Sequence, residues 1–336
     1  MKKSPLLFAA LTSLCGSTFA AETAAPVPAE KPAAPARPAA AELLPPTMAD
    51  VAYGAHPKQV LHFWKADSAQ PTPLLFFIHG GGWQNGNRAG GLTGMLPQIL
   101  KAGISVVSIE YRFIAEANAE GIRPPVKAPL HDAARALQFV RSKAAEWNID
   151  KQRIGASGSS AGACSSLWLA FHDDLADPKS SDPVARESTR LLCAAVTGAQ
   201  TTLDPRQMRE WTPNSKYGGH AFGFAEDKAR GVSQFQAFFD GRETILPWIA
   251  EYSPYALVTP DDAPVYMIYV AKPALGQEEK DPTHTANFGV KLEEKLIAEK
   301  VPCELVYPGA PDVKHPTVAA YLIDKLKAPA ARKSGE

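Results

Sequence analysis

The sequence has no excess of charge: 35 Lys and Arg stand against 35 Asp and Glu over 336 residues. No block of like charges breaks this balance, so nothing draws the chain towards nucleic acid or an anionic membrane, and a small molecule is the expected partner. Long apolar runs are missing as well. The N-terminal run Pro5–Leu14 is too brief to span a bilayer, which needs about 20 residues, so no membrane span is expected. Cysteine is scarce, and the spacing of Cys15, Cys164, Cys193 and Cys303 specifies no disulfide. The last three read as free thiols in core elements. No internal repeat is visible. Neither G-x-G-x-x-G nor a G-K-S/T ending occurs beside the glycine clusters, which removes the phosphate-loop reading of them. The string His172-Asp173-Asp174 could suggest a metal, but adjacent residues at a helix end rarely converge on one ion, and no metal site is expected.

What is present begins with a targeting pattern. Lys2 and Lys3 precede the apolar run, and small residues follow to Thr18-Phe19-Ala20. Residues 1–20 therefore read as a signal peptide cleaved after Ala20, implying a secreted or periplasmic protein. Acylation at Cys15 is disfavoured by the bulky Leu14 before it. Residues 21–46 are Ala- and Pro-rich with almost no aromatic or β-branched side chains, the composition of a linker. Residues 51–327 carry a globular composition, and 328–336 read as a tail.

Within 51–327 apolar strands alternate with helical patterns. Leu74–Ile78 (LLFFI) and Ile104–Ile109 (ISVVSI) are continuous apolar runs, as strands covered on both faces should be. Val126–Trp147 repeats its apolar residues at helical spacing. Arg153–Ser157, Leu192–Thr197, Val265–Val270 and Glu304–Tyr307 read as further strands, with helices at 161–171, 283–300 and 316–327. This alternation predicts an α/β fold: a mostly parallel central sheet with helices on both faces and ligands bound beyond the carboxyl ends of the strands. Residues 204–254 break the rhythm with Trp211, Tyr217, Phe222, Phe224, Phe235, Phe238, Phe239 and Trp248 among Gly and Pro. Such an insertion reads as an aromatic-rich lid or substrate wall, with plain core packing as the alternative.

Two motifs carry chemistry. Gly158-Ser159-Ser160-Ala161-Gly162 is a G-x-S-x-G string between a short strand and a helix, the setting a nucleophile elbow requires. It makes Ser160 the expected nucleophile, held at the positive end of the following helix. The second is His79-Gly80-Gly81-Gly82-Trp83, directly after Leu74–Ile78. Glycines at a strand's end let backbone N–H groups turn towards one point, so Gly80, Gly81 and Gly82 with Ala161 are the expected oxyanion hole. His79 reads as a support for that loop. Glu110-Tyr111-Arg112 reads as an ion pair or loop anchor.

On these motifs, and on the strings LLFFIHGGGW, VVSIEYR, DAARALQFVR, RIGASGSSAG and YGAHPKQVLHFW, the chain resembles the hormone-sensitive-lipase and carboxylesterase branch of the α/β-hydrolase fold. Within that branch it is similar to bacterial feruloyl-esterase and acetyl-xylan-esterase-like proteins. The resemblance implies hydrolysis of carboxylic esters through an acyl-enzyme, with no metal or organic cofactor. Small-molecule or polysaccharide-linked esters are the implied substrates, and the oligomeric state is left open. It also implies a triad in the chain order Ser, acid, His. His315, after the last strand and a Pro308-Gly309-Ala310 turn, is the expected base, although four residues separate it from that turn. His284 is the alternative. Asp281, on the loop after Val265–Val270, is the expected acid, with Glu278 and Glu279 as alternatives. Two other readings compete: a peptidase of prolyl-oligopeptidase type, and a hydrolase scaffold that keeps Ser160 for binding without a working acid–base pair.

Overall fold

The computed structural model describes residues 43–328. The signal-peptide reading of 1–20, the linker as far as residue 42 and the tail from residue 329 lie outside the described residues. One eight-stranded sheet organises the chain, in the order β1-β2-β4-β3-β5-β6-β7-β8. Its strands are Met48–Ala52 (β1), Val60–Trp64 (β2), Thr72–Ile78 (β3), Ser105–Ile109 (β4), Ile149–Ser159 (β5), Cys193–Thr197 (β6), Val265–Ile268 (β7) and Cys303–Val306 (β8). The β1–β2 and β2–β4 pairs are antiparallel, and every pair from β4 to β8 is parallel. The first strand opens at Met48, a few residues ahead of the globular start read from composition.

Period-2 geometry explains why the apolar runs form strands. In β3, Leu74, Phe76 and Ile78 enter one buried cluster while Leu75 and Phe77 enter the other. Each such side chain stabilises the fold by roughly 1.5–3 kcal/mol when fully buried, so a run apolar at every position suits a sheet covered on both faces. The first face is covered by Lys127–Ser142, Ala161–Phe171 and Asn287–Ala298, which place Leu130, Leu137, Leu167, Trp168, Leu292 and Leu296 against it. Leu96–Lys101 and Val318–Lys327 cover the second with Leu96, Ile99, Leu322 and Leu326.

The 204–254 segment folds as short helices, among them Pro205–Trp211, Gln234–Asp240 and Leu246–Tyr252. Trp211, Phe222, Phe235 and Phe238 are buried in the first cluster, and Tyr217, Phe224 and Trp248 are partly buried against it. Most of these aromatics are thus core. Phe239 instead lies under the Arg209 guanidinium, 3.6 Å from ring centroid to Cζ.

The parallel register decides where loops emerge. Ile78 pairs with both Ile109 and Gly158, Ser159 pairs with Thr197, and Thr197 pairs with Ile268. The turns after β3, β5, β6 and β7 therefore leave the sheet at one edge.

Candidate active site

Ser160 stands between β5 and the helix Ala161–Phe171 at φ 52° and ψ −123°, dihedrals that cost a non-glycine residue about 1–3 kcal/mol. Its N–H donates to the Thr197 carbonyl at 3.0 Å, so pairing to β6 helps hold the strained turn. The flanking glycines have a steric reason. A Cβ on Gly158 or Gly162 would run into the Ile78 carbonyl oxygen, because the turn crosses directly over the end of β3.

The His79–Trp83 loop lies beside that turn. Gly81 and Gly82 have φ of 106° and 63°. Among the described residues no protein acceptor takes the N–H of Gly80, Gly81, Gly82 or Ala161. His79 carries no nucleophile contact. Its Nδ1 is 2.7 Å from the Gly80 carbonyl and its Nε2 is 3.0 Å from Glu110 Oε1. Tyr111 donates its hydroxyl to the His79 carbonyl at 2.8 Å, and Arg112 pairs with Asp132 at 2.6 Å. Burial pushes the Glu110 carboxyl up, but the bond and charge of His79 outweigh it and leave the group below the usual carboxylate range. These residues anchor the loop. Trp83 completes the anchoring by donating Nε1–H to Ser165 Oγ at 3.0 Å.

The histidine at Ser160 is His284. Its Nε2 lies 2.9 Å from Ser160 Oγ, and its Nδ1 lies 2.8 Å from Asp281 Oδ2. The carboxylate can only accept, so Nδ1 carries the proton and Nε2 is left to accept from the serine hydroxyl. Asp281 is placed by an Asx-type turn in which the Thr283 N–H donates to Oδ1 at 3.2 Å. Burial raises the Asp281 carboxyl, and the His284 bond, its charge and the Thr283 and His284 N–H groups more than reverse this, leaving it below its ordinary value. Gln200 donates to the Thr283 carbonyl at 2.7 Å and holds the turn from behind. Glu278 and Glu279, the alternatives for the acid, are not bonded to His284. Glu279 Oε1 instead accepts from Thr285 Oγ1 at 3.2 Å.

His315, the expected base, is elsewhere. Its Nδ1 lies 2.8 Å from Glu304 Oε2, its Nε2 lies 3.3 Å from Asp324, and it is 7% exposed. Glu304 belongs to β8, opposite Tyr266, whose hydroxyl donates to the His315 carbonyl at 3.1 Å. The four residues Pro311–Lys314 thus let the loop fold back along β8 instead of over the carboxyl edge. The structure thus places His284, the alternative, beside Ser160, and His315, the expected base, away from it. The available signal was the string Asp281-Pro282-Thr283-His284, which one turn can close.

The site opens into a cleft of about 290 Å³ lined by Ser159, Ser160, Thr197, Gly198, Val270, Asp281 and His284. Ser159 also lines a neighbouring hollow with Gly80, Gly81, Asn85 and Asn87. Away from the cleft, Cys164, Cys193 and Cys303 are free, with Cys303 part-buried. Burial pushes the Cys193 thiol up to about 12 and the Cys303 thiol up to about 11, which keeps both protonated near neutral pH. His172 turns Nε2 towards Glu251 at 3.2 Å, while Asp174 accepts from Ser188 and Thr189.

An elbow serine, a glycine loop with free N–H groups and an eight-stranded α/β sheet coincide with one family model, named BD-FAE, over residues 62–275. The chain belongs to the BD-FAE family. That family is one of α/β-hydrolase esterases, and the match ends before the turn that carries Asp281 and His284. The chain is 30% identical over 116 residues to "Esterase LipC" of Mycobacterium tuberculosis, a match covering 33% of this chain and 27% of that one. It is 31% identical over 134 residues to a kynurenine formamidase of Debaryomyces hansenii, covering 38% and 41%. The chain thus spans between about a quarter and two fifths of the length of these curated relatives. Among solved structures, a truncated carbohydrate esterase from gut microbiota superposes with a TM-score of 0.58 at 18% identity, covering 77% of this chain and 86% of that one. An acetyl ester-xyloside bifunctional hydrolase from Caldicellulosiruptor lactoaceticus gives 0.54 at 23% identity, covering 80% and 85%. These likenesses agree with the α/β-hydrolase fold.

Proposed function

We propose that this BD-FAE protein is a serine esterase that cleaves carboxylic esters through an acyl-enzyme. The observation that carries the proposal is the unbroken chain Ser160 Oγ–His284 Nε2 and His284 Nδ1–Asp281 Oδ2, at 2.9 and 2.8 Å. In this reading His284 takes the Ser160 proton as the oxygen attacks the ester carbonyl, then returns it to the leaving alcohol. Asp281 orients the ring and stabilises its charged form. The N–H groups of Ala161 and of the Gly80–Gly82 stretch receive the oxyanion, each such donor lowering the barrier by about 3–4 kcal/mol. Water activated by His284 then releases the acid. A binding scaffold without a base would leave Ser160 unpartnered, and the 2.9 Å contact stands against that reading.

For the alcohol half of the ester we propose a sugar hydroxyl. Asn85, Asn87 and Ser159 line the hollow beside the catalytic cleft and offer the amide and hydroxyl groups that bind sugar hydroxyls. Export, read from residues 1–20, belongs to the same proposal and would place the enzyme with polymeric substrates. Hydrolysis of p-nitrophenyl acetate by the parent protein and by Ser160→Ala tests the esterase assignment. Turnover by the parent and none by the variant, with a mass increase at Ser160 after treatment with an alkyl phosphonate, is the expected result. Equal rates in the two proteins would overturn it.

A further inference from the structure

We propose that the stretch from Trp211 to His220 is a fixed tie between the two halves of the catalytic machinery, in which Asn214 positions the Asp281–His284 turn and His220 positions the oxyanion loop. The inference rests on the esterase reading. It gives the 204–254 insertion a task other than covering the cleft.

One end of the stretch grips the segment that leads into and out of the acid–base turn. Asn214 donates Nδ2–H to the Glu279 carbonyl at 2.8 Å and accepts from the Glu279 N–H at 3.1 Å. Both backbone groups of a residue two positions before Asp281 are thereby held by one side chain, much as a neighbouring strand would hold them. The Gly276 N–H donates to the Trp211 carbonyl at 3.0 Å. Asn287, fully buried just after the turn, donates to the Trp211 carbonyl and to Thr212 Oγ1, both at 2.9 Å. Five hydrogen bonds therefore span residues 211–214 and 276–287.

The other end grips the glycine loop. His220 Nε2–H donates to the Gly82 carbonyl at 3.0 Å. That bond fixes the peptide plane following Gly82, between the Gly81 carbonyl, which accepts from the Gln84 and Asn85 N–H groups, and the Trp83 carbonyl, which accepts from the Ile114 N–H. The rings of Tyr217 and His220 pack on Trp83 with centroids 6.2 Å away in each case, and the Ala221 carbonyl accepts from the Val126 N–H at 3.0 Å. Burial pushes the His220 imidazole below its ordinary value, so it donates as a neutral ring near pH 7. Asn214 and His220 are joined by a few residues of chain with Gly218 and Gly219 packed against Phe238 and Gln234. One short piece of backbone therefore connects the grip on the acid–base turn to the grip on the glycine loop, in addition to the Gln200 and Ser160 contacts of that turn. A displacement of about 1 Å in such a constellation costs on the order of 10²-fold in rate.

The experiment compares Asn214→Ala, His220→Phe, His220→Gln and the Asn214→Ala/His220→Phe pair on p-nitrophenyl acetate, with hydrogen exchange read at the Glu279 amide. Asn214→Ala and His220→Phe are each expected to lower kcat by roughly 10–100-fold with KM within about twofold, because a misplaced machine still binds. His220→Gln, whose amide N–H can reach the Gly82 carbonyl, should recover most of the loss. The paired variant should lose less than the product of the single losses, since the two ends act through one tie. The Glu279 amide should exchange faster in Asn214→Ala, a readout that needs no turnover and so separates failure of the tie from failure of the esterase assignment. The proposal is overturned by unchanged kcat in both single variants, by losses confined to KM, by His220→Gln no better than His220→Phe, or by unchanged Glu279 protection.

Discussion

Two histidine–carboxylate pairs sit on successive loops of the same sheet edge, and only one faces the serine. His284 and Asp281 follow β7, three positions apart, with side chains 36% and 61% exposed. His315 follows β8, is 9% exposed at its side chain, and lies between Glu304 and Asp324. Judged by burial and number of carboxylates, the second pair looks the better prepared. Both of its ring nitrogens face carboxylates, however, and neither faces Ser160, while its ring meets the Tyr321 ring edge-on at 5.3 Å. The first pair bonds its carboxylate through Nδ1 and keeps Nε2 for Ser160. In the proposed mechanism the general base is the histidine whose second nitrogen reaches the serine, whereas the carboxylates on either side of His315 make that residue a clasp between β8 and the C-terminal helix.

The sharpest way to break this contrast is to remove each ring. His284→Ala should lower kcat/KM by roughly 10⁴-fold or more, whereas His315→Ala should leave it within about threefold. Reversed losses in steady-state assays would return the base to the β8 loop. Asp281→Asn should have an intermediate effect. A buried triad carboxylate can be worth about 10⁴-fold, but water screens an exposed one, so a loss on the order of 10² is expected. The pH dependence of that carboxylate follows from its lowered pKa. A depressed carboxyl stays ionised down to below its unfolded value of about 3.9, so its support is present above that pH and lost only as the pH falls through the lower folded value. Activity profiles of the parent should show no Asp281-linked loss above about pH 4. The smallest effect is expected at the clasp. Glu304→Gln should reduce stability by about 1 kcal/mol, seen as a fall in Tm of roughly 2–4 °C, with kcat unchanged.

Much of this architecture was legible in the residues. The apolar runs at Leu74–Ile78 and Ile104–Ile109 marked central strands because side chains that alternate between two buried faces leave no polar position. Gly158-Ser159-Ser160-Ala161-Gly162 marked the elbow because no larger residue clears the end of β3. The acid–base assignment was harder to read. Local spacing offered two histidines after two strands, and the resemblance, which places the base after the last strand, favoured the later one. Nothing local revealed that Pro311–Lys314 would carry His315 back along β8. The 204–254 aromatics were equally ambiguous, since a lid and a core segment have the same composition and differ only in what covers them.

The sequence by itself determined the parallel sheet, the strained serine and the glycine loop, because each depends on sterics and periodicity within a dozen residues. Only the tertiary structure decided which histidine meets Ser160 and what the 204–254 insertion holds in place. Both depend on hydrogen bonds between residues tens to more than a hundred positions apart, as in His284 to Ser160 and His220 to Gly82. Such bonds are selected by the paths that loops take over a finished sheet, and a loop's path is set by all its partners together.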